Sequence, residues 1–137
     1  MTEQRATMLD TLLEQAQKVA ENSYSPYSNF KVGAALLLAG GEIVTGTNVE
    51  NTSYGVTICA ERAALVQAVS RFGPEIRVHA LAVTNLNGAA SPPCGACRQA
   101  LAEFTEAEAP VAFPASDGVR VMPFAELLPL ATEMKLK

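Results

Sequence analysis

All three cysteines of the chain lie in two short stretches, Cys59-Ala60-Glu61-Arg62 and Pro93-Cys94-Gly95-Ala96-Cys97. Their positions indicate which helix ends must come together in the fold. An apolar pattern of helical spacing follows each stretch, from Cys59 to Phe72 and from Cys94 to Phe104. Because a helix N-terminus carries partial positive charge, it lowers the pKa of a thiol placed there. Two helix starts that face each other could therefore present three thiolates to one metal ion.

The rest of the chain alternates between helical and strand-like patterns. Apolar residues recur at helical spacing over residues 3–21, and Gly40-Gly41 separates two strand-like runs, which predicts a hairpin. Pro93 suits the start of the third helix. Strands are predicted at Val32–Leu38, Ile43–Val49, Val78–Val83, Val111–Phe113 and Val119–Met122, and helices at 3–21, 59–72, 94–104 and 124–130. The order αββαβαββα predicts one α/β domain over residues 1–137, with a mixed sheet covered by helices.

Composition and charge argue against several classes of protein. A chain of 137 residues that is 49% hydrophobic has room for one domain with a proper core. A net charge of −4 argues against nucleic acid as a partner, since phosphate backbones are bound mainly through Lys and Arg. The first 20 residues lack the apolar centre of a signal peptide, and no apolar run approaches the length of a membrane span. Three thiols that cannot all pair fit a reducing compartment, so we expect a cytoplasmic location without a membrane partner.

Three sulfur ligands from Cys59, Cys94 and Cys97 indicate a catalytic rather than a structural zinc site. Structural zinc is almost always held by four protein ligands, whereas catalytic zinc keeps three and leaves the fourth position to water. Two other interpretations remain open: a redox pair at Cys94 and Cys97, or a structural metal with a fourth ligand from His79 or a carboxylate. His79 falls in a predicted buried strand, where a core or edge histidine is expected rather than a ligand.

Glu61 and Arg62 follow shortly after the first cysteine and have side chains that suit proton transfer and charge compensation at a catalytic zinc site. Zinc lowers the pKa of bound water from 15.7 to roughly 7, and a nearby carboxylate can take the released proton and deliver it to a substrate. We therefore interpret Glu61 as the general acid and base, although a helix first turn also favours an ordinary exposed Glu. Arg62 is expected to donate a hydrogen bond to a ligand sulfur and offset the charge of three thiolates, the alternative being an arginine on the helix surface.

The same residues carry a family resemblance that extends along most of the chain. A site with three Cys, a Glu that is not a ligand and a Pro-Cys-x-x-Cys sequence is the known signature of zinc deaminases. The matching stretches are Tyr24-Ser25-Pro26-Tyr27-Ser28-Asn29-Phe30-Lys31-Val32-Gly33-Ala34-Ala35-Leu36, Gly46-Thr47-Asn48-Val49-Glu50-Asn51, Ile58-Cys59-Ala60-Glu61-Arg62-Ala63-Ala64 and Pro93-Cys94-Gly95-Ala96-Cys97-Arg98-Gln99. Over roughly residues 8 to 130 the chain resembles cytidine deaminases of the short, homotetrameric type.

The resemblance implies a fold, an activity and a cofactor. The fold is a three-layer α/β/α arrangement with a central, mixed, five-stranded sheet, as in other cytidine deaminase-like proteins. The activity is hydrolysis of cytidine and 2′-deoxycytidine to uridine and 2′-deoxyuridine with release of ammonia, in pyrimidine salvage. One Zn²⁺ per chain, held by the three cysteines, is the implied cofactor, and the implied assembly is a homotetramer with shared active sites.

The resemblance also assigns substrate contacts. It implies that Phe30 lies against the pyrimidine, that the Asn48-Val49-Glu50 segment binds the ribose hydroxyls, and that the backbone at Ala60 contacts the base. On an extended chain Asn48 and Glu50 point the same way, and a paired amide and carboxylate suit a vicinal diol. Without the resemblance, Phe30 reads as a core residue and Asn48 as a turn residue at a strand end.

The C-terminal segment departs from the family pattern. Many members place a Phe shortly after Leu-Leu-Pro, whereas Leu127-Leu128-Pro129 is followed here by Leu130-Ala131-Thr132, with no aromatic residue. Residues 52–57 and the segment from Pro123 are the expected walls shared between subunits.

Two functions compete with deamination of cytidine. One is deamination of another aminopyrimidine or aminopurine nucleoside, and the other is a non-catalytic, zinc-stabilised module. The predicted ribose-binding segment argues against the first alternative, and the open fourth zinc position beside Glu61 argues against the second.

Overall fold

A computed structural model describes residues 2–134 of the chain. Within this range the helices and strands follow one another in the predicted order. They are α1 (Glu3–Ala20), β1 (Val32–Leu38), β2 (Ile43–Thr47), α2 (Ala60–Phe72), β3 (Val78–Asn85), α3 (Gly95–Ala102), β4 (Pro110–Ala115), β5 (Gly118–Pro123) and α4 (Phe124–Leu127), with a single 3₁₀ turn at Tyr54–Val56 before α2. None of the helices between residues 2 and 134 is long and apolar enough to cross a membrane.

The five strands form one mixed sheet in the order β2-β1-β3-β4-β5. Strand β1 pairs antiparallel with both β2 and β3, and β4 pairs antiparallel with β5. The pair β3 and β4 is parallel, and α3 lies in the connection between them. A parallel pair requires such a crossover, which carries the second cysteine stretch to one end of the sheet. The predicted hairpin is present, and Gly41 in its turn has a φ of 94°, which favours glycine.

The two faces of the sheet are covered differently, which confirms the predicted three layers. On one face α1 packs its Leu9, Leu12 and Ala16 over strand residues that are mostly alanine. On the other face the larger core joins α2, α3 and α4 to the leucine and valine side chains of the strands. Because side chains alternate across a strand, a run such as Ala34 to Leu38 supplies both cores.

Gly46 in β2 fixes how closely α2 approaches the sheet. A Cβ atom at this position would lie 2.3 Å from the Ala64 nitrogen and 2.7 Å from the Ala60 oxygen, so only glycine fits. The backbone of α2 therefore rests directly on β2 at the first turns of the helix. This contact sets the position of the residues that begin α2, including Cys59 and Glu61.

Four local predictions differ from the structure. Pro93 does not open α3, because Cys94 is the N-cap and the helix begins at Gly95. Strand β2 ends at Thr47, since Val49 leaves the main sheet and instead bridges Tyr24 and Ile58. The last helix ends at Leu127, two residues before Pro129, because the residue before a proline disfavours helical backbone.

The fourth difference concerns the His79 side chain, which was expected in the core or at an edge. Strand β3 is largely buried, as predicted, but the His79 side chain is exposed between the buried Val78 and Ala80, with Nε2 3.2 Å from a Glu106 carboxylate oxygen. His79 is not part of the cysteine cluster, so it supplies no ligand to that cluster, as expected.

Candidate active site

The three cysteines converge where α2 and α3 begin. Cys59 is the N-cap of α2, Cys94 is the N-cap of α3, and Cys97 lies buried in the first turn of α3. The sulfur atoms of Cys59 and Cys94 are 3.7 Å apart, those of Cys94 and Cys97 are 3.2 Å apart, and all three lie within 4.8 Å of one another. The structure thus brings together the three predicted ligands from two separate helix starts.

This donor set fits a zinc ion. Tetrahedral zinc with Zn–S bonds of about 2.3 Å requires sulfur atoms about 3.8 Å apart, close to the distance between Cys59 and Cys94. Hydrogen bonding from Cys97 lowers the pKa of the Cys59 thiol to about 5, with a further contribution from Arg62. The same contact with Cys59, together with burial, raises the pKa of Cys97. Three adjacent sulfurs therefore cannot all ionise alone, whereas a divalent cation between them favours three thiolates.

The cluster supplies sulfur ligands only. Between residues 2 and 134 no His, Asp or Glu joins the three cysteines in a group close enough to hold one metal ion. Such a site leaves the fourth position of a tetrahedral zinc to solvent or substrate, which is the arrangement of catalytic zinc.

Glu61 lies in the first turn of α2, beside this position. Its side chain is only 4% exposed, and it lines a cavity that also contains Cys59 and Cys94. Burial raises the pKa of the Glu61 carboxyl, and the negative charge of Cys59 acts in the same direction. A carboxyl group that is easier to protonate than usual suits a residue that must both accept and deliver a proton.

Arg62 contacts the cluster as predicted. Its Nη2 atom lies 3.6 Å from the Cys59 sulfur and 3.5 Å from the Thr57 carbonyl oxygen. The guanidinium group therefore places positive charge beside a thiolate, where it partly offsets the charge of the three-sulfur set.

A cavity of about 210 Å³ opens above the cysteines. Three of the predicted substrate contacts, Phe30, Asn48 and Ala60, line it, whereas Val49 and Glu50 do not. Val49 is exposed at the surface beside the cavity, and Glu50 is buried against the segment that precedes β1.

Sequence reasoning missed other parts of the cavity wall. Val83, Ser91 and Pro92 line the cavity, although none belongs to a motif that we singled out, whereas Thr57 lines it from residues 52–57, the segment that we expected to form a wall of the site. Ser91 and Pro92 directly precede Pro93 and Cys94 in the chain, so their closeness in sequence to a predicted metal ligand could have identified them.

Asn48 joins the end of β2 to the segment before β1. Its side-chain oxygen accepts hydrogen bonds from the Ser23 hydroxyl and the Val32 nitrogen, and its side-chain nitrogen donates to the Phe30 carbonyl oxygen at 2.8 Å. An amide side chain can accept two hydrogen bonds and donate two. Within residues 2–134, Asn48 therefore keeps one free N–H at the edge of the cavity.

Glu50 is the acidic counterpart of Asn48. One carboxylate oxygen accepts from the backbone nitrogens of Tyr27 and Ser28 at 3.0 and 3.2 Å, and the other accepts from the Ser28 hydroxyl. The hydrogen bonds from Ser28 and Tyr27 hold the pKa of this carboxyl below its ordinary value, and burial opposes them. A carboxylate has about four lone-pair sites, so one remains free.

Comparisons with known proteins agree with this geometry. The pattern of the cytidine and deoxycytidylate deaminase zinc-binding region matches residues 6–112. A cytidine deaminase from Halalkalibacterium halodurans is 44% identical over 119 residues, which are 86% of this chain and 89% of that protein.

Solved structures show the same likeness. The cytidine deaminase from Burkholderia pseudomallei has a TM-score of 0.81 at 40% identity, covering 96% of this chain and 100% of that one. A mutant cytidine deaminase from Mycobacterium tuberculosis has the same TM-score and identity, covering 91% of this chain and 94% of that one. Because the match spans both helix starts and the sheet that carries them, this chain belongs to the family of cytidine and deoxycytidylate deaminases with a zinc-binding region.

Proposed function

We propose that the protein catalyses hydrolytic deamination of cytidine and 2′-deoxycytidine to uridine and 2′-deoxyuridine, with release of ammonia. The observation that carries this proposal is the buried Glu61 carboxyl, which faces a cavity beside three thiols that leave one metal position open. The relatives that cover most of the chain are named cytidine deaminases, which supports the same substrate class. Conversion of cytidine to uridine is a step of pyrimidine salvage, and we propose that role.

The cavity residues divide the reaction between them. Zinc held by Cys59, Cys94 and Cys97 supplies the Lewis acidity that makes water nucleophilic near neutral pH. Glu61 accepts one proton from the attacking water and delivers it to ring nitrogen N3. A second proton, from the hydroxyl group formed at C4, passes through the same carboxylate to the amino group, which leaves as ammonia.

The base and the sugar are held at the other end of the cavity. We propose that the Phe30 ring lies against the pyrimidine and that the Ala60 backbone contacts its polar edge. The free N–H of Asn48 and the free lone pair of Glu50 are one donor and one acceptor, which together match a sugar hydroxyl. Val49, between them, contributes backbone rather than side chain, because its side chain points out to the surface.

Ultraviolet absorbance tests the activity directly. Zinc-loaded protein incubated with cytidine should convert the cytidine spectrum into that of uridine, with one ammonia released per nucleoside. Adenosine and free cytosine in parallel incubations separate the proposal from its alternatives. Turnover of adenosine alone would indicate a different deaminase, and zinc binding without turnover of any nucleoside would indicate a non-catalytic module.

We also propose that the active sites are shared within a homotetramer. The cavity of about 210 Å³ is smaller than the roughly 300–1,000 Å³ of pockets that enclose a ligand, so another surface must cover the nucleoside. Tyr24, Val49 and Ile58 pair across neighbouring segments, so their side chains share a face, and all three are exposed. Tyr54 and Val56, which closely precede Ile58 in the chain, are also exposed, and we propose that these five side chains together form an apolar rim.

A second copy of this chain is the proposed partner of the apolar rim. Contiguous exposed apolar surface commonly marks a protein interface. The segment from Pro123 also presents an exposed side chain, Leu130, which is 94% exposed, while Gln99 holds the neighbouring Thr132 backbone through two hydrogen bonds. We propose that this segment covers part of a neighbour's site without the aromatic residue that many family members carry.

Light scattering tests the assembly. A tetramer has about four times the mass of the 14.4 kDa chain, and a D₂ arrangement is the simplest symmetry for it. Val56→Glu places a charge on the apolar rim and should yield smaller particles with weaker cytidine binding. A wild-type monomer with full activity would contradict the shared sites.

The proposed location is the cytoplasm. The three cysteines are unpaired thiols less than 5 Å apart, and they must stay reduced to bind a metal. A reducing compartment keeps them in that state.

A further inference from the structure

The loop between β3 and the N-cap of α3, residues 86–93, forms one wall of the cavity through Ser91 and Pro92 and is organised by a buried asparagine. Asn85 ends β3, and its side chain is 8% exposed. Its nitrogen donates to the Ala89 carbonyl oxygen and to the Ser91 hydroxyl, at 2.9 and 2.8 Å. Its oxygen accepts from the nitrogens of Asn87 and Ala89, at 3.0 and 3.1 Å. All four hydrogen-bonding positions of the amide are used, so the loop has a defined shape.

Asn87 connects this loop to the segment that carries Phe30, another residue of the cavity lining. Its side-chain oxygen accepts from the Lys31 nitrogen at 3.1 Å, and its side-chain nitrogen donates to the Asn29 carbonyl oxygen at 3.0 Å. These two partners stand on either side of Phe30. The Asn87 amide therefore hydrogen-bonds to the backbone immediately before and immediately after Phe30, the residue proposed to lie against the base.

The backbone that Asn87 holds before Phe30 has a positive φ at Asn29. Asn29 has a φ of 57°, in the left-handed region, which asparagine adopts more readily than most residues other than glycine. Such a conformation persists only where surrounding contacts maintain it. Besides the two hydrogen bonds from Asn87, a backbone bond from Leu86 to the Lys31 oxygen, at 3.0 Å, links the loop to this segment.

We propose that Asn87 is a positioning residue that holds Phe30 at a fixed distance from the Ser91–Pro92 wall and so determines how tightly the cavity selects its pyrimidine. The proposal rests on the proposed function, because it assumes that Phe30 contacts the base. Asn87 does not line the cavity, so its effect is transmitted through the backbone of residues 29–31. The cysteines and Glu61 lie on α2 and α3, outside this connection, so chemistry at the metal end is left intact.

The two hydrogen bonds predict a specific kinetic change. Without them Phe30 has more freedom, and substrate binding must order it. Asn87→Ala should raise the KM for cytidine about five- to tenfold, the size expected for loss of one or two ordinary hydrogen bonds, with kcat changed less than about twofold. The looser wall should also reduce the preference for cytidine over 5-bromocytidine, which carries a larger substituent on the ring.

Three variants test the role of Asn87. Asn87→Asp keeps the acceptor for Lys31 but places a second acceptor oxygen against the Asn29 carbonyl oxygen, so its KM should also be raised. Asn22→Ala is the matched control, because Asn22 is exposed after α1 and its side chain makes no hydrogen bond within the described residues. The dissociation constant of the product uridine, measured by calorimetry, should rise by the same factor as KM.

The outcomes separate this proposal from the proposed function. A raised KM and a raised uridine dissociation constant, with kcat and zinc content retained, support the positioning role. An unchanged KM and unchanged selectivity in Asn87→Ala, or a fall in kcat alone, would overturn it. A wild-type protein that neither deaminates cytidine nor binds uridine would overturn the proposed function itself, and this role with it.

Discussion

The two ends of the cavity are built in different ways. At the metal end the groups belong to two short stretches, and local helix geometry places Cys59, Cys94 and Cys97 at helix starts. At the other end, where we propose that sugar and base bind, Asn48, Glu50 and Asn87 hold segments that are far apart in sequence through bonds from side chain to backbone. The metal end therefore depends on residue identity at fixed spacing, whereas the other end depends on a distributed network. We expect substitutions at the metal end to abolish chemistry, and substitutions at the other end to weaken binding in graded steps.

Loss of a cysteine should have the largest effect. Cys97→Ala leaves two sulfur donors, so we expect the variant to lose its zinc during dialysis and to lose turnover with it. Metal analysis of each single Cys→Ala variant measures this, with one zinc per chain expected in the wild type. A variant that retained full zinc and full activity would remove that cysteine from the site.

Glu61→Gln should have the next largest effect, and on turnover alone. The amide has nearly the same size and can still form hydrogen bonds, but it cannot accept a proton. General acid and base groups typically contribute 10²–10⁴-fold, so kcat should fall by at least about that factor while zinc content and the melting temperature stay close to the wild type. Glu14→Gln, on the exposed surface of α1, is the matched control. Turnover near the wild-type rate would rule out the proposed proton transfers.

The contrast between the two ends also explains what could be predicted from the sequence. Apolar periodicity predicted the order of elements and the Gly40-Gly41 pair predicted the hairpin, because these signals are local. The order of elements in turn predicted a mixed sheet covered by helices. The three candidate ligands follow from the positions of the cysteines at predicted helix starts, and the contact of Arg62 with Cys59 was expected from the charge of three thiolates; the structure has this contact at 3.6 Å. By contrast, the pairing of Asn85 with Ser91 and of Asn87 with Asn29 depends on loop conformation, for which the sequence shows only residues common in turns.

The contacts between layers of the fold could not be predicted from the sequence either. Gly46 forms part of a family stretch, but its physical reason, the approach of the α2 backbone to within 2.3 Å of a Cβ at that position, requires the assembled layers. His79 does lie in a largely buried strand, as its apolar neighbours predicted, but its side chain is exposed beside Glu106 rather than in the core. Both cases involve tertiary contacts, which neither spacing nor periodicity reports.

Asn48→Ala and Glu50→Ala should have intermediate effects that depend on the substrate. If these side chains bind a sugar hydroxyl, kcat/KM for cytidine should fall by the equivalent of about 1–3 kcal/mol, the cost of leaving a buried partner unpaired. Free cytosine has no sugar, so its much slower turnover should change far less. Because both residues also tie down the segment before β1, an equal loss with both substrates would indicate a purely structural role.

The smallest expected effect is a change of folding stability with pH that comes from the Glu50 carboxyl. Hydrogen bonds from Ser28 and Tyr27 hold the pKa of the Glu50 carboxyl below its ordinary value in the folded chain, so the unfolded chain binds this proton more readily. The stability that these bonds contribute is therefore complete above about pH 4.3, the usual Glu pKa, and is lost as the pH falls through the lower folded value.

Glu50→Gln removes the ionisable group but keeps an oxygen that can accept from the Tyr27 and Ser28 nitrogens. Urea unfolding at neutral pH should show the variant to be less stable than the wild type, and this difference should shrink as the pH falls below about 4.3. A difference that stayed constant from neutral to acid pH would show that the Glu50 carboxylate is not the group that these bonds stabilise, and that the sugar end of the cavity is held together by Asn48 and the backbone instead.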